Sequence, residues 1–308
     1  MQWMKQAFGV VLGLGVLSAV GAGLPAVSLA QDQDFDAVEI ETVPVTSDVY
    51  MLLGEGGNIG VSAGEDGVFL IDDQFAPLTE KILAAIATIT PEPVRFLINT
   101  HWHFDHTGGN ENLGNADVVI VAHDEVYTRM STDQFIAAFQ REIPASPRAA
   151  LPVITFSDEA TFHLNGQTIR AIHVDPAHTD GDSIIHFVEA DIIHAGDTYF
   201  NQMYPFIDLS SGGSLTGMIS AAETVLALAG EETKIIPGHG PLSNREELEA
   251  YRQMLVTVRL RTESAIAQGM SLEDFIASAP TAEYDETLGG GFLSTEQFLA
   301  IVYQDLAS

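Results

Sequence analysis

Three histidines and an aspartate lie within six positions of one another in the segment Thr100-His-Trp-His-Phe-Asp-His-Thr-Gly-Gly-Asn110. The cluster follows directly on the apolar run Val94-Arg-Phe-Leu-Ile-Asn99, which is typical of a buried strand. Imidazole nitrogens together with one carboxylate are a donor set that suits zinc, and less uniquely iron or manganese. The pattern His-x-His-x-Asp-His therefore predicts a metal site where a strand ends and a loop begins.

No regular element would aim these four side chains in one direction. On a strand, His101, His103 and Asp105 would share a face and His106 would point away, whereas on a helix His103 would oppose His101 and Asp105. A loop that gathers all four, or that divides them between two adjacent ions, fits the spacing better. The alternative is a histidine-rich turn without a ligand, but accidental clusters seldom repeat a known ligand spacing.

The composition narrows the class of partner. The chain has 43 acidic and 12 basic residues, which gives a formal net charge of −31. A surface this negative repels nucleic acid and anionic membranes, so we expect a small-molecule substrate and no nucleic acid. The sequence contains no cysteine, which excludes disulfides and thiolate metal ligands. Every metal contact must then come from His, Asp, Glu or water.

Residues 1–30 have the pattern of a secretory signal peptide. Lys5 supplies a positive charge, an uncharged apolar run extends from Ala7 to Leu24, and small residues in Ser28-Leu29-Ala30 allow cleavage before Gln31. A retained membrane anchor is the alternative, but several glycines weaken a spanning helix and no second apolar run of spanning length follows. We therefore expect an exported protein, periplasmic or secreted, with no membrane attachment after cleavage.

Residues 31–308 are predicted to form one catalytic domain with a C-terminal helical extension from about residue 268 to residue 308. Short strands separated by Gly, Asp and Ser turns come first, then a helix that Pro91 and Pro93 end, then the strand at 94–98. A similar series of strands spans residues 160–194, and helices at 215–228 and 245–267 flank a short strand at 234–236. This order predicts an α/β layered fold with two similar halves.

Residues 123–140 are predicted to be helical, with a polar break near Ser131. The segment Ile143-Pro-Ala-Ser-Pro147 interrupts regular structure, so we interpret residues 131–152 as a mobile flap. Arg129, Arg141 and Arg148 lie around this segment in a chain with few cations. One of them could bind a substrate carboxylate, with solvated surface charge as the alternative for each.

Three further candidate ligands follow later strands. They are His178 in Asp175-Pro-Ala-His-Thr-Asp-Gly-Asp182, Asp197 in His194-Ala-Gly-Asp-Thr198, and His239 in Ile236-Pro-Gly-His-Gly-Pro241. Glycine or proline flanks each one, which lets the backbone turn the side chain toward a cleft. Because loops at one edge of a layered sheet lie close together, we expect all three to join the first cluster.

In this order, the motifs resemble those of the metallo-β-lactamase fold superfamily of hydrolases, from about Val38 to Arg261. The resemblance implies a four-layer αβ/βα sandwich, with two mixed sheets inside and helices on the outer faces. It also implies a site for two Zn²⁺ ions at one edge of the sheets, although other divalent metals could take the same ligands. The implied ligands are His101, His103 and His178 for the first metal, Asp105, His106 and His239 for the second, and Asp197 at the second metal or bridging both.

The resemblance implies hydrolysis by a metal-bound hydroxide, since two metals lower the pKa of a shared water without help from serine or cysteine. Asp105 would be the catalytic carboxylate, because it would bind the second metal and orient the hydroxide. We predict attack on the carbonyl of a cyclic amide, β-lactam-like substrate. The alternatives are hydrolysis of a lactone, ester or thioester, iron-dependent persulfide oxidation, and a non-catalytic metal-binding module.

The sequence departs from the cysteine-bearing metallo-β-lactamases at two positions. Those enzymes have a cysteine at the position of Asp197. Three residues later they have a lysine that binds the carboxylate of the drug, whereas this chain has Phe200 there. Aspartate at this position resembles the glyoxalase-II-like and lactonase-like branches instead. The pattern Gly291-Phe-Leu-Ser-Thr-Glu-Gln-Phe298 is similar to exported members described as lactamase-like hydrolases.

Several nearby residues are candidates for support or substrate contact. Asp72 could hydrogen-bond a ligand histidine, and Thr179 could orient His178, with turn or capping roles as alternatives. Tyr199 and Tyr204 could donate a hydrogen bond to a developing oxyanion, with ordinary packing as the alternative. Trp102 and Phe104 alternate with the ligands and are predicted to pack beneath the loop.

Overall fold

Two mixed β-sheets form the centre of the structure, which is a computed structural model that describes residues 34–308. The predicted signal peptide lies outside the described residues. The first sheet has the strand order β1-β2-β3-β4-β5-β6-β9. Its strands are β1 (Glu41–Pro44), β2 (Val49–Leu53), β3 (Ile59–Gly64), β4 (Gly67–Ile71), β5 (Val94–Ile98), β6 (Val119–His123) and β9 (Ile154–Phe156). β1 to β4 are antiparallel, and β4, β5, β6 and β9 are parallel.

The second sheet has six strands in sequence order. They are β10 (Glu159–Leu164), β11 (Gln167–His173), β12 (Ser183–Phe187), β13 (Ile192–His194), β14 (Lys234–Ile236) and β15 (Ser243–Asn244). Only the pair β13 and β14 is parallel within this sheet. The connection between these two strands carries a helix, as a parallel crossover requires.

Nine α-helices occur in the described part of the chain, most of them on the outer faces of the sheets. They are α1 (Thr79–Ile89), α2 (Phe104–Thr107), α3 (Asn110–Gly114), α4 (Asp124–Met130), α5 (Leu215–Leu228), α6 (Arg245–Ala267), α7 (Leu272–Ala277), α8 (Asp285–Leu288) and α9 (Thr295–Ala307). Asn244 caps α6 by accepting from the Glu247 amide, and Ser294 with Gln297 forms a capping box at α9. Within residues 34–308, no helix is long and apolar enough to cross a membrane.

Three apolar layers hold the elements together. Phe69 and Ile98 of the first sheet pack against Ile185 and Phe187 of the second, which forms the central layer. α1 covers the outer face of the first sheet, and α5, α6, α7 and α9 pack on the outer face of the second. The predicted four-layer αβ/βα sandwich is therefore confirmed. β4 is buried along its whole length, which explains its continuous apolar sequence.

The prediction of a helix over residues 123–140 is wrong beyond Met130. β7 (Gln134–Ile136) and β8 (Arg141–Ile143) form a two-stranded antiparallel hairpin there, which we call the flap hairpin. The hydroxyls of Ser131 and Thr132 both donate to the Thr128 carbonyl, and such local bonds compete with helix continuation. Ile136 is fully buried, which holds the hairpin against the body of the protein.

Candidate metal centre

All seven predicted ligands meet at one edge of the two sheets. The loop after β5 carries His101 and His103, α2 carries Asp105 and His106, the β11–β12 loop carries His178, the turn after β13 carries Asp197, and the loop after β14 carries His239. The prediction that a loop carries all four residues of the first motif holds for His101 and His103 but is wrong for Asp105 and His106, which lie on a short helix. The donor atoms form three overlapping groups, each with all atoms within 4.8 Å of one another. One of them, made of His101, His106 and Asp197, joins the two groups described next.

The first group contains only imidazoles, from His101, His103 and His178, and all three are buried. Nδ1 of His103 lies 2.8 Å from Nε2 of His178. The His101 and His103 rings meet at 83°, and the His103 and His178 rings at 88°. Three nitrogens that converge from nearly perpendicular rings are a tripod suited to a tetrahedral zinc ion.

The second group contains Asp105, His106 and His239. Nε2 of His239 lies 3.4 Å from Oδ2 of Asp105 and 3.4 Å from Nε2 of His106. Asp105 and His239 are each 22% exposed at the side chain. This group therefore faces the surface cavity, whereas only His103 of the first group lines it, and His101 and His178 are fully buried.

Asp197 lies between the two groups. Its Oδ2 is 3.4 Å from Nε2 of His178, in the first group, and 3.4 Å from Nε2 of His239, in the second. Its Oδ1 is 3.1 Å from Nε2 of His106. A carboxylate that reaches both groups has the position of a bridging ligand, which is one of the two placements the sequence implied.

The surroundings of these side chains fit bound metal. Nε2 of His101 is buried and has no hydrogen-bond partner among residues 34–308, so its lone pair is free for a cation. A Cβ atom on Gly57 would collide with the His106 ring, and one on Gly238 would collide with Asp197. Glycine at these two positions thus leaves the ligands room to converge. The donor set of five imidazoles and two carboxylates suits zinc and similar divalent ions.

Each buried ligand imidazole is held through its other ring nitrogen. These partners are Asp208 for His103 at 3.0 Å, Asp72 for His106 at 2.8 Å, the Phe206 carbonyl for His178 at 2.8 Å, and the Thr100 hydroxyl for His101 at 3.1 Å. A partner of this kind fixes the tautomer and the ring orientation of a metal ligand. The four rings are therefore oriented by the protein itself.

Asp72 has the supporting position that the sequence predicted for it. Besides His106, it accepts hydrogen bonds from the Thr100 amide at 2.8 Å and the Thr100 hydroxyl at 2.7 Å. Thr179 also supports a ligand, since its hydroxyl donates to Asp182, which accepts a bond from the His178 amide at 2.6 Å. Burial raises the pKa of Asp182 to about 7, although these hydrogen bonds oppose the rise.

Sequence reasoning missed Asp208, which lies 105 positions after His103. Spacing gave no signal for this contact, because the two residues meet only when the loop after β13 folds over the metal centre. A weak signal was present in the acidic residue itself, which directly follows the apolar pair Phe206 and Ile207 and is 1% exposed. A buried carboxylate requires a partner, and here His103 is that partner.

Tyr199 and Tyr204 lie away from the cluster. The Tyr199 hydroxyl is hydrogen-bonded to Ser243 at 2.8 Å, and the Tyr204 hydroxyl donates to Asp285 at 2.7 Å. Each ring is 1% exposed, and neither lines the cavity in front of the metal centre. Their placement supports the packing alternative and not contact with a substrate.

The electrostatics divide the ligands into two kinds when no metal is present. Burial lowers the pKa of His178 to about 4 and that of His101 well below its usual value, so both rings are neutral near pH 7. Burial also acts to lower the pKa of His239, but the carboxylates of Asp197 and Asp105 outweigh it and raise the pKa to about 9. Metal must therefore displace a proton from the second group.

A cavity of about 460 Å³ opens in front of the second group. Asp105, Asp197 and His239 form its floor, and most of its wall is apolar. The wall residues are Phe75, Phe104, Phe139, Phe200, Met203, Phe206 and Phe292. The prediction that Trp102 and Phe104 both pack beneath the loop is right only for Trp102, which is 3% exposed, because Phe104 lines the cavity.

The three cations near the flap do not line this cavity. Arg129 is paired with both carboxylate oxygens of Asp180, and its Nε lies 2.6 Å from Oδ1. The Arg141 guanidinium lies over the Phe104 ring, 4.5 Å from its centroid. Among the described residues that line the cavity there is therefore no lysine or arginine to pair with a substrate carboxylate.

Comparison with known proteins agrees with the fold. The sequence model of the family described as the metallo-beta-lactamase superfamily matches residues 52–240. The chain is 24% identical over 246 residues to the 2,4-dinitroanisole O-demethylase subunit alpha of Nocardioides sp., which covers 77% of this chain and 70% of that protein. It is 25% identical over 158 residues to the human acyl-coenzyme A thioesterase MBLAC2, which covers 46% of this chain and 54% of that protein.

Solved structures show the same fold. A metallo-beta-lactamase from Pontibacter korlensis superposes with a TM-score of 0.59 at 20% sequence identity, over 71% of this chain and 99% of that one. Identity at this level supports the shared architecture and not a shared substrate.

Proposed function

Since the chain belongs to the metallo-beta-lactamase superfamily and is a metallo-hydrolase, we propose that it holds two Zn²⁺ ions and hydrolyses the carbonyl of an ester, thioester or lactone. The observation that carries this proposal is the position of Asp197, whose Oδ2 lies 3.4 Å from a histidine of each ligand group. One carboxylate that reaches both groups supports a dinuclear centre.

When bound, the two metals would lower the pKa of a shared water to near neutrality and polarise the substrate carbonyl. Asp105 faces the cavity and would accept a hydrogen bond from that water, which orients its lone pair toward the carbonyl. Burial opposes ionisation of Asp105, but the charges of His106 and His239 outweigh it and lower its pKa to about 2. Asp105 is therefore a carboxylate that accepts hydrogen bonds at every physiological pH.

The cavity favours a leaving group that departs without a proton. Among the residues of 34–308 that line it, Glu55 is the only ionisable side chain that is not a predicted metal ligand. An amine must be protonated as it leaves, whereas a thiolate or an activated alkoxide can leave as an anion. The cyclic-amide substrate that the sequence favoured stays a prediction, and the site gives more support to its alternative. The human relative named as an acyl-coenzyme A thioesterase supports the same choice.

The test begins with purified protein that has been treated with EDTA and reloaded with a known amount of zinc. We expect two zinc ions per chain, and turnover of thioesters, aryl esters or lactones that exceeds turnover of the β-lactam nitrocefin. His101→Ala should abolish activity and zinc binding at the first group. His163→Ala is the matched control, because His163 is exposed on β10 and belongs to no ligand group.

Three results would count against the proposal. They are one zinc ion per fully loaded chain, nitrocefin turnover above that of every ester and thioester, and iron with oxygen consumption in protein purified without added metal. The last result would favour persulfide oxidation instead.

A further inference from the structure

The cavity wall contains three phenylalanines that come from three separate parts of the chain. Phe139 ends a turn in the flap hairpin, Phe206 lies in the loop after β13, and Phe292 precedes α9. Ring centroids are 4.8 Å apart for Phe139 and Phe206, 5.7 Å for Phe139 and Phe292, and 6.5 Å for Phe206 and Phe292. We call these three residues the phenylalanine wall.

The phenylalanine wall is next to the reacting position. The Phe206 ring stacks on His103 with centroids 5.9 Å apart and an interplanar angle of 26°. Phe292, at the other end, remains 47% exposed at the cavity mouth. An exposed aromatic ring that continues an apolar wall indicates a surface that a ligand covers. A group attached to a carbonyl at the metals would extend along this wall toward the mouth.

Charge at the mouth limits what that group can be. Glu55 is exposed and lines the cavity beside Gly54 and Gly56. No lysine or arginine is present among the lining residues of the described chain, and the protein as a whole carries a net charge of −31. A carboxylate at the mouth end of the substrate would face Glu55 with no lysine or arginine among the lining residues to pair with, so its desolvation would be poorly compensated.

We propose that the substrate carries a neutral arylalkyl acyl group, that this group binds on Phe139, Phe206 and Phe292, and that the site discriminates against acyl groups with a carboxylate. This inference rests on the proposed hydrolase function, which it deepens by naming the class of acyl group. Aromatic rings fit such a wall through offset or edge-to-face contacts in addition to their area.

The kinetic test uses three p-nitrophenyl esters with the zinc-loaded protein: the acetate, the phenylacetate and the 4-carboxyphenylacetate. We expect kcat/KM for the phenylacetate to exceed that for the acetate about tenfold or more, since apolar pockets discriminate at this level. The 4-carboxyphenylacetate should fall at least as far below the phenylacetate. Equal rates for the charged and the neutral aryl esters would overturn the proposal.

Variants locate the binding surface. Phe139→Ala and Phe292→Ala should each lower kcat/KM for the phenylacetate about tenfold, and for the acetate by a clearly smaller factor. Phe135→Ala is the matched control on the same hairpin, because Phe135 is 48% exposed and does not line the cavity. Glu55→Gln should raise kcat/KM for the carboxylated ester alone. A loss that is equal for phenylacetate and acetate would contradict the assigned wall.

A binding measurement separates this inference from the proposed function. N-phenyl-1-naphthylamine is neutral, and its 8-sulfonate has the same rings with one negative charge, so their fluorescence titrations form a matched pair. The neutral dye should bind more tightly, and Phe139→Ala and Phe292→Ala, but not Phe135→Ala, should weaken its binding. If the dyes bind as expected but no ester is cleaved, the proposed hydrolase function is wrong and the phenylalanine wall is still supported as a binding surface. If esters are cleaved but Phe139→Ala and Phe292→Ala leave dye binding unchanged, the phenylalanine wall is not the binding surface.

Discussion

Asp208 accepts a hydrogen bond from Nε2 of His103 at 3.0 Å, and the same ring places its Nδ1 2.8 Å from Nε2 of His178 in the first ligand group. His103 is thus the one imidazole of that group that faces its neighbours through Nδ1, because His101 and His178 use Nδ1 for their outer partners. The tautomer with the proton on Nε2 is the one that can bind metal through Nδ1. Burial acts to raise the pKa of Asp208, but the bond from His103 outweighs it and holds the pKa well below its usual value.

Asp208→Asn should weaken zinc binding about 10- to 100-fold, the usual effect of removing an outer partner of a metal ligand. The asparagine amide is close in size to the aspartate carboxylate but is a weaker hydrogen-bond acceptor. It can also turn its NH₂ group toward His103, which disfavours the tautomer of His103 with the proton on Nε2. Competition with a chromophoric chelator measures the affinity. Asp305→Asn is a control, because the Asp305 carboxylate accepts from the Leu215 amide and belongs to none of the ligand groups. Equal zinc affinities in the wild type and Asp208→Asn would contradict the positioning role.

The flap hairpin is tied to the loop of His178 through Arg129. Its guanidinium binds Asp180 through two nitrogens and Gln134 of β7 at 3.1 Å. Because the pair is mostly buried, Arg129→Lys should lower the free energy of unfolding by about 1.5–3 kcal/mol, the range for hydrogen bonds to charged groups.

Urea unfolding measures this loss. Arg252→Lys supplies the comparison, because its partner Glu223 is 51% exposed and exposed pairs contribute about 0–1 kcal/mol. A smaller effect at Arg129 than at Arg252 would show that the Arg129 pair does not hold the hairpin.

The sequence was sufficient to predict which side chains converge at the sheet edge, because the segments that carry them follow apolar strands and contain glycine or proline. Those local signals placed His178, Asp197 and His239 at the same sheet edge as His101, and the fold brings them there. The flap hairpin was harder to predict, since residues 134–136 and 141–143 are too short for their periodicity to distinguish strand from helix.

Contacts between distant segments that no motif or strand end marks could not be predicted from a single sequence. The phenylalanine wall joins residues 139, 206 and 292, which no periodic pattern connects. The same applies to Tyr199, whose partner Ser243 lies 44 positions later. In both cases the tertiary packing of loops decides the side-chain position, and local propensity does not specify it.

Gly238→Ala should disturb the metal centre more than its small change in volume suggests. The added Cβ would meet Asp197 and the backbone of Gly196, so the bridging carboxylate would have to move. We expect reduced zinc stoichiometry and a destabilisation of about 1–3 kcal/mol, typical of overpacking. Gly230→Ala is the control, since its nearest neighbour would be the Thr233 hydroxyl at an ordinary 3.6 Å. Two tightly bound zinc ions in Gly238→Ala would show that Asp197 does not need this space.

Zinc binding should release protons near pH 7, because Asp197 and Asp105 raise the pKa of His239 to about 9 in the absence of metal. A histidine whose pKa is raised on folding stabilises the metal-free protein fully below pH 6.5, and this contribution is lost as the pH rises toward 9. The apparent zinc affinity should rise over the same range, since a ligand must be deprotonated to bind. Calorimetry in buffers of different ionisation enthalpy measures the protons released per zinc. His239→Ala should release fewer than the wild type, and an equal release would mean that His239 is already neutral before metal binds.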